Sequence, residues 1–282
     1  MSSKDKPDWQ SLLKQALTVP GTLSKAYSVF HNYSLGNQLL ASFELASRGL
    51  PLSPIASFMR WQELGRSVKK GEKAIPLVMP VTVKKKAVDA DADEESVDGV
   101  RTIFILKRNW FSLDQTEGEA FSPEVIMPEW DKAKALVALD IREVRFEMAD
   151  GNCQGYAKLG VREVAVNPVA AMPWKTLFHE IAHHLLGHTA TGDATGTMAD
   201  GPSMPKCIKE AEAEATAYLC CATLGLPGME ESRGYIQSWL DGEEFPEKSS
   251  RRGFAAADKI LKAGTIGLQG KEARCSAELI KQ

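Results

Sequence analysis

Apolar residues at Trp9, Leu12, Leu13, Ala16 and Leu17 recur at the three- and four-residue spacing that places them on one face of a helix, and Gly21 follows the end of that pattern. A second helix is expected from an N-cap at Ser34 to about Arg48, stopped by Gly49 and Pro51, and a third, short one over Ser57 to Leu64, closed by Gly65. The period then changes. Ala74 to Val83 is rich in Val, Ile and Leu, and its prolines, which cannot donate to a ladder, suit an edge strand, with residues 101–111 (RTIFILKRNWF) as its partner. Between the two, AVDADADEESVDG holds six acids and no base and reads as a solvated hairpin tip. Residues 112–130 carry turn residues and two prolines with little periodicity and are read as a linker. Beyond it the pattern predicts a helix (DKAKALVALD), a strand (VRFEM), a glycine-rich turn (GNCQGYAKLG) and a strand (EVAVN) ended by Pro168. A long helix follows from about Trp174 to Leu186, then a Gly-, Thr- and Asp-rich loop over 187–205 and a helix from Lys206 to Leu224. Two more amphipathic helices are expected in SRGYIQSWL and FAAADKILKAG.

This order of elements predicts an α+β protein of two domains, residues 1–125 built from helices and an antiparallel sheet and residues 126–282 mostly helical. With 44% hydrophobic and 25% charged residues the chain has ordinary means to build cores, and no apolar run approaches the ~18 residues of a membrane span, so a cytoplasmic protein without membrane contact is expected. Five cysteines without a CxxC pair argue against a disulfide framework. The net charge of −3 hides an asymmetry that changes the picture: residues 1–88 hold 13 Lys or Arg against 5 Asp or Glu, and residues 119–282 hold 18 against 24. A basic half joined to an acidic one points to a polyanion partner for the first half alone.

The chemistry is concentrated in TLFHEIAHHLLGH, where His179, Glu180 and His183 form HExxH. On a helix, positions i and i+4 share a face, so both imidazoles can reach one Zn²⁺ while Glu180 serves as base toward a water that the metal acidifies. Two histidines do not complete such a site, and the metzincin position for a third holds Thr189, so a carboxylate is indicated. In KCIKEAEAEATAYLCC, Glu210 and Glu214 share a face while Glu212 points elsewhere. One of the pair is the third ligand and the other the acceptor that orients a ligating histidine; the simpler division gives the ligand to Glu210, and the spacing leaves the reverse open. Alternate small residues at Ala211, Ala213, Ala215 and Ala217 permit close approach of the two helices. His184 is read as structural, His188, Tyr156 and Tyr218 as candidates to line the cleft or stabilise an oxyanion, and Glu163 to Asn167 as a free strand edge for a substrate segment.

In the basic half, Arg60, Arg66, Lys69, Lys70, Lys73, Lys107 and Arg108 are interleaved with Tyr33, Phe58, Trp61, Trp110 and Phe111. Bases that track phosphates among aromatic rings that stack nucleobases are the ingredients of single-stranded DNA binding.

Over nearly its full length the chain resembles the ArdC family of antirestriction proteins. GYAKLGVREVAVNPVAAMPWKTLFHEIAHHLLGH followed by KEAEAEATAYLCCATLGL is similar to that family's zincin domain, itself related to the ImmA/IrrE metallopeptidases. YSLGNQLL, WQELGRSVKKGEKAIPLVMP and DQTEG are similar to its single-stranded DNA-binding domain, although ILKRNWF before DQTEG is more basic and aromatic than the family's usual strand. The resemblance implies a protein of a plasmid or phage that acts on incoming DNA during conjugative transfer, with Asn37 among the DNA-binding residues and Glu210 as metal ligand. It implies Zn²⁺, with Mn²⁺ as another ion the site would take, and a protein substrate the sequence does not name. The competing expectations are a DNA-shielding protein whose metal is structural or regulatory, and a protease that cleaves a host repressor.

Overall fold

A computed structural model of the chain describes residues 7–18, 21–84, 96–97, 100–122, 128–147, 152–190, 204–227, 232, 234, 236 and 245–266. Most of the acidic segment at 87–99, most of the loop after His188, most of SRGYIQSWL and Cys275 lie outside these residues. In chain order the elements are helices α1 (Trp9–Thr18), α2 (Thr22–Phe30) and α3 (Leu35–Ser47), strand β1 (Ile55–Ser57), helix α4 (Phe58–Glu63), and strands β2 (Arg66–Val68), β3 (Ile75–Lys84), β4 (Ser96–Val97), β5 (Val100–Ser112) and β6 (Thr116–Gly118). They continue with α5 (Lys132–Ala138), β7 (Arg142–Glu143), β8 (Gly155–Ala157), β9 (Glu163–Val166), α6 (Pro173–Leu185), α7 (Lys206–Thr223) and α8 (Glu247–Gly264). The chain is thus of the α+β class. Helix α2 was not expected, although Leu23, Ala26, Tyr27 and Phe30 sit at helical spacing and are all buried.

The chain forms two compact units, one containing Leu40–Pro123 and the other Trp9–Leu39 with Glu124–Gln282. A single break near residue 125 was expected, but the first two helices and the start of α3 belong with the C-terminal half. Their apolar faces explain this: Leu12, Leu13, Leu23, Phe30, Leu35 and Leu39 are each at most 4% exposed. Polar contacts reinforce the attachment. The Glu247 carboxylate accepts from the backbone N–H groups of Trp9 and Gln10 at 3.0 and 2.8 Å, satisfying donors that the start of α1 cannot pair within itself. Asp258 likewise accepts from Leu35 N–H at 3.0 Å, at the start of α3.

In the Leu40–Pro123 unit, β3 and β5 pair antiparallel from Ile75↔Trp110 to Lys84↔Val100, and β1 covers the other side of β5. Among the described residues β3 is therefore an edge strand, the position that Pro76 and Pro80 suit. Trp61 is the centre of this core, 1% exposed, with its indole N–H donating to the Phe111 carbonyl at 2.8 Å and its ring edge-on to Phe121. Gln115 of DQTEG is wholly buried, and its amide joins the Ser112 N–H to the Lys73 carbonyl.

In the other unit α7 is the axis. Every residue from Ala211 to Thr223 is buried, because alternate alanines let helices close on it from several sides. β9 is the middle strand of a three-stranded sheet, parallel to β7 and antiparallel to β8. The expected free edge at Glu163–Asn167 is thus taken on both sides. Among the described residues the edges are β7 and β8, the latter inside the glycine-rich stretch read as a turn, and no strand forms at Val144–Glu147.

Candidate metal centre

Helix α6 starts with Pro173, whose missing N–H costs nothing at a first turn, and runs beside α7. It presents His179 and His183 one turn apart. His179 Nε2 lies 3.1 Å from His183 Nε2 and 3.3 Å from Glu210 Oε2, and His183 Nε2 lies 3.8 Å from the same oxygen. Ligands on a tetrahedral Zn²⁺ with bonds of about 2.0–2.2 Å stand about 3.3–3.6 Å apart, so the three atoms lie close to the spacing of a shared ion. Of the described residues only this trio of His, Cys, Asp or Glu is so grouped.

Hydrogen bonding behind the trio decides where the imidazole lone pairs point. Glu214 Oε2 is 3.3 Å from His179 Nδ1, and the Lys175 ammonium is 2.7 Å from the other Glu214 oxygen. A carboxylate only accepts, so Nδ1 of His179 carries a proton and Nε2 faces the site. Burial works against a charge on His179, yet Glu210 and Glu214 outweigh it and raise its pKa to about 9. Burial likewise opposes ionisation of Glu210 and Glu214, and in both carboxyls it is outweighed by His179, so both fall below the usual carboxylate range. The centre is built to hold positive charge.

Glu180 is 8% exposed, and burial raises its pKa. Its carboxylate accepts from the Ala157 N–H of β8. The contact requires close approach of strand and helix, and Gly155 provides it: a Cβ there would stand 2.5 Å from Thr176 Cγ2 and 3.3 Å from Glu180 Cγ. Lys158 N–H and the Gln154 carbonyl bond to β9, so the backbone groups of Gly155 and Ala157 turn to the opposite, edge side.

The remaining expected site residues are put to other uses. His184 Nε2 donates to the Glu163 carbonyl at 3.0 Å while Nδ1 accepts from Thr189 at 2.8 Å, and burial keeps its pKa low, so it pins α6 to β9 as a neutral ring. The Tyr218 hydroxyl donates to the Ala16 carbonyl at 3.2 Å and is 2% exposed, and the Tyr156 hydroxyl lies 3.5 Å from the Arg145 carbonyl. His188 is buried against His183 and Glu212. Glu212, dismissed on the helical wheel, is the functional-looking residue that sequence reasoning missed.

The basic residues divide too. Arg66 is spent on Thr116 and on the Glu119 carbonyl, Arg60 is paired with Glu63 at 2.7 Å, and Lys69 donates to the Asp114 carbonyl at 2.8 Å. Lys70, Lys73, Lys107 and Arg108 are exposed. Trp61 and Trp110 are buried and have no face for a base, whereas Phe58 and Phe104 are 40% and 47% exposed; Phe104 was not picked out from the sequence. Tyr33 and Asn37 belong to the unit that carries the metal centre.

Comparison with known proteins bears on the N-terminal region and on the fold. Residues 5–111 match the family described as the N-terminal domain of anti-restriction factor ArdC. An uncharacterized protein of Sinorhizobium fredii, y4eC, is 24% identical over 262 residues, covering 86% of this chain and 79% of the relative. The Mn(II)-bound crystal structure of the antirestriction ArdC protein from the R388 plasmid has a TM-score of 0.51 at 19% identity over 92% of this chain and 98% of that one. The metal-free structure of that ArdC protein gives 0.49 at 21% identity over 96% and 97%. The N-terminal region thus matches the ArdC N-terminal domain family, and the chain shares its fold with the Mn(II)-bound protein.

Proposed function

We propose that the chain is an antirestriction protein that binds single-stranded DNA through its N-terminal half and hydrolyses a peptide bond at the His179, His183 and Glu210 centre. The observation that carries the hydrolytic half is the convergence of these three acceptor atoms at 3.1–3.8 Å with the buried Glu180 on the same helix. A divalent transition metal held there supplies a Lewis acid that polarises a carbonyl and brings the pKa of water to about 7. Two imidazoles and a carboxylate favour Zn²⁺, with Mn²⁺ the second choice in view of the Mn(II)-bound ArdC structure. Glu180, with its pKa raised by burial, is the group that takes the proton, and the Ala157 N–H aims its carboxylate. The edge of β8 offers the Gly155 N–H and the Ala157 carbonyl to an extended substrate segment, in the place first assigned to β9.

For DNA, the exposed Lys70, Lys73, Lys107 and Arg108 supply phosphate contacts, and Phe58 and Phe104 supply faces for stacking. Tyr33, Asn37, Arg60, Trp61, Arg66, Lys69 and Trp110 then act by shaping the N-terminal region more than by touching bases.

The test is Glu180→Ala in a conjugative-transfer protection assay, with single-stranded DNA affinity measured by fluorescence anisotropy. The proposal expects loss of protection at unchanged affinity. Full protection by the variant would replace hydrolysis with a shielding role in which the metal is structural or regulatory.

A further inference from the structure

Among the described residues the ligand His183 has no carboxylate at Nδ1. Its Nδ1 lies 2.9 Å from Nδ1 of His188, whose Nε2 is 3.0 Å from Glu212 Oε2. Glu212 is wholly buried, and the Arg252 guanidinium of α8 stands 3.3 Å from the same oxygen while also donating to the Leu186 carbonyl at the end of α6. The end of α6 is shaped for this contact. Gly187, at φ 76°, turns the chain so that His188 N–H bonds the His183 carbonyl at 2.9 Å and Gly187 N–H bonds the His184 carbonyl at 3.3 Å, the paired bonds of a Schellman ending. His188 is thereby held beneath the ring of His183.

We infer that His188, fixed by Glu212 and Arg252, is a positioning residue that sets the tautomer and ring orientation of the metal ligand His183. The Glu212 carboxylate can only accept, so His188 carries its proton at Nε2 and offers a lone pair at Nδ1. Facing that lone pair at 2.9 Å, His183 donates from Nδ1 and turns a bare Nε2 toward His179 and Glu210. Both ligating rings thus end on a buried carboxylate tied to a cation, His179 directly on Glu214 and Lys175, His183 through one more imidazole on Glu212 and Arg252. The relay follows from position. His183 is in the last turn of α6, and its Nδ1 faces the helix ending, so a residue of that ending must bridge to α7.

This inference deepens the proposed metal centre, and its test separates the two. In the metal-free parent protein with ¹⁵N-labelled histidine, long-range ¹H–¹⁵N spectra report the tautomer of each ring. The expected result is His183 protonated at Nδ1 and His188 at Nε2; His183 protonated at Nε2 alone, or His188 at Nδ1 alone, overturns the relay without any reference to metal. Competition with a chelator for Mn²⁺ gives the second readout. His188→Leu is expected to weaken binding about 10- to 100-fold, and His188→Asn, whose amide oxygen takes the place of Nδ1, to recover most of the loss. Equal Mn²⁺ affinity in His188→Leu and the parent, or no recovery in a folded His188→Asn, overturns the inference. Should His188→Leu fail to fold, the parent's tautomers still decide it. A parent that binds no Mn²⁺ or Zn²⁺ with the expected tautomers present removes the metal centre and leaves the hydrogen-bond relay standing.

Discussion

Removal of residues 1–123 should unfold what remains, although the HExxH helix and every proposed ligand lie beyond residue 123. Leu12, Leu13, Leu23, Phe30, Leu35 and Leu39 are each at most 4% exposed within a unit they share with the C-terminal half. Fully burying such a side chain is worth about 1.5–3 kcal/mol, or roughly 9–18 kcal/mol for six. If about half of that area is buried against the C-terminal residues and the rest within the segment itself, their surface loses on the order of 5–9 kcal/mol of burial when α1 to α3 are taken away. A domain's whole stability is about 5–15 kcal/mol, so the loss is of the size that unfolds it. The lost Glu247 and Asp258 contacts add to the deficit. The assay is thermal melting by circular dichroism of residues 124–282 alone, of the full chain, and of residues 7–39 joined to 124–282 by a flexible Gly/Ser linker. The fragment alone should show no cooperative transition and the linked protein should regain one. A cooperative melt of 124–282 within a few degrees of the full chain would refute the reasoning.

Gly155→Ala should lower stability by about 1–3 kcal/mol, because its Cβ would meet Thr176 at 2.5 Å and the Ala165 carbonyl at 2.9 Å, and denaturant melts measure the loss. In the metal-free protein, His179 has its pKa raised to about 9 from an ordinary 6.5, so its proton stabilises the fold fully below about pH 6.5, and that contribution disappears as pH rises through 9. The melting temperature of metal-free protein should therefore fall between pH 6.5 and 9, and a flat profile there would contradict the raised pKa. Lys107→Ala with Arg108→Ala should weaken single-stranded DNA binding and reduce the slope of log affinity against log salt by about 1.4, since each phosphate contact contributes about 0.7.

How much of this was legible in the sequence depends on whether local spacing or long-range packing decides. His179, His183 and the Glu210, Glu214 pair were readable because i, i+4 on a helix fixes a shared face whatever surrounds it. The prolines of β3 announced an edge for a similarly local reason. Glu212 was lost because the helical wheel says only that it points away from Glu210; that His188 waits there depends on the turn at Gly187 and on the approach of α6 to α7. The faces of α1 and α3 were legible, but amphipathicity names no partner, and the misplaced domain boundary followed from that gap; α2 was missed although its apolar spacing was there to read. Trp61 illustrates the same point for chemistry. An aromatic ring among bases reads equally as a stacking platform or as a core, and the indole bond to the Phe111 carbonyl decides for the core.

The central claim is that His179, His183 and Glu210 share one divalent ion, and anomalous diffraction from crystals grown with Zn²⁺ or Mn²⁺ tests it most directly. The account predicts a single strong peak about 2.0–2.3 Å from His179 Nε2, His183 Nε2 and a Glu210 oxygen. Its loss in Glu210→Ala crystals would agree with that assignment, whereas a peak elsewhere, or none at these atoms in the parent protein, would contradict it.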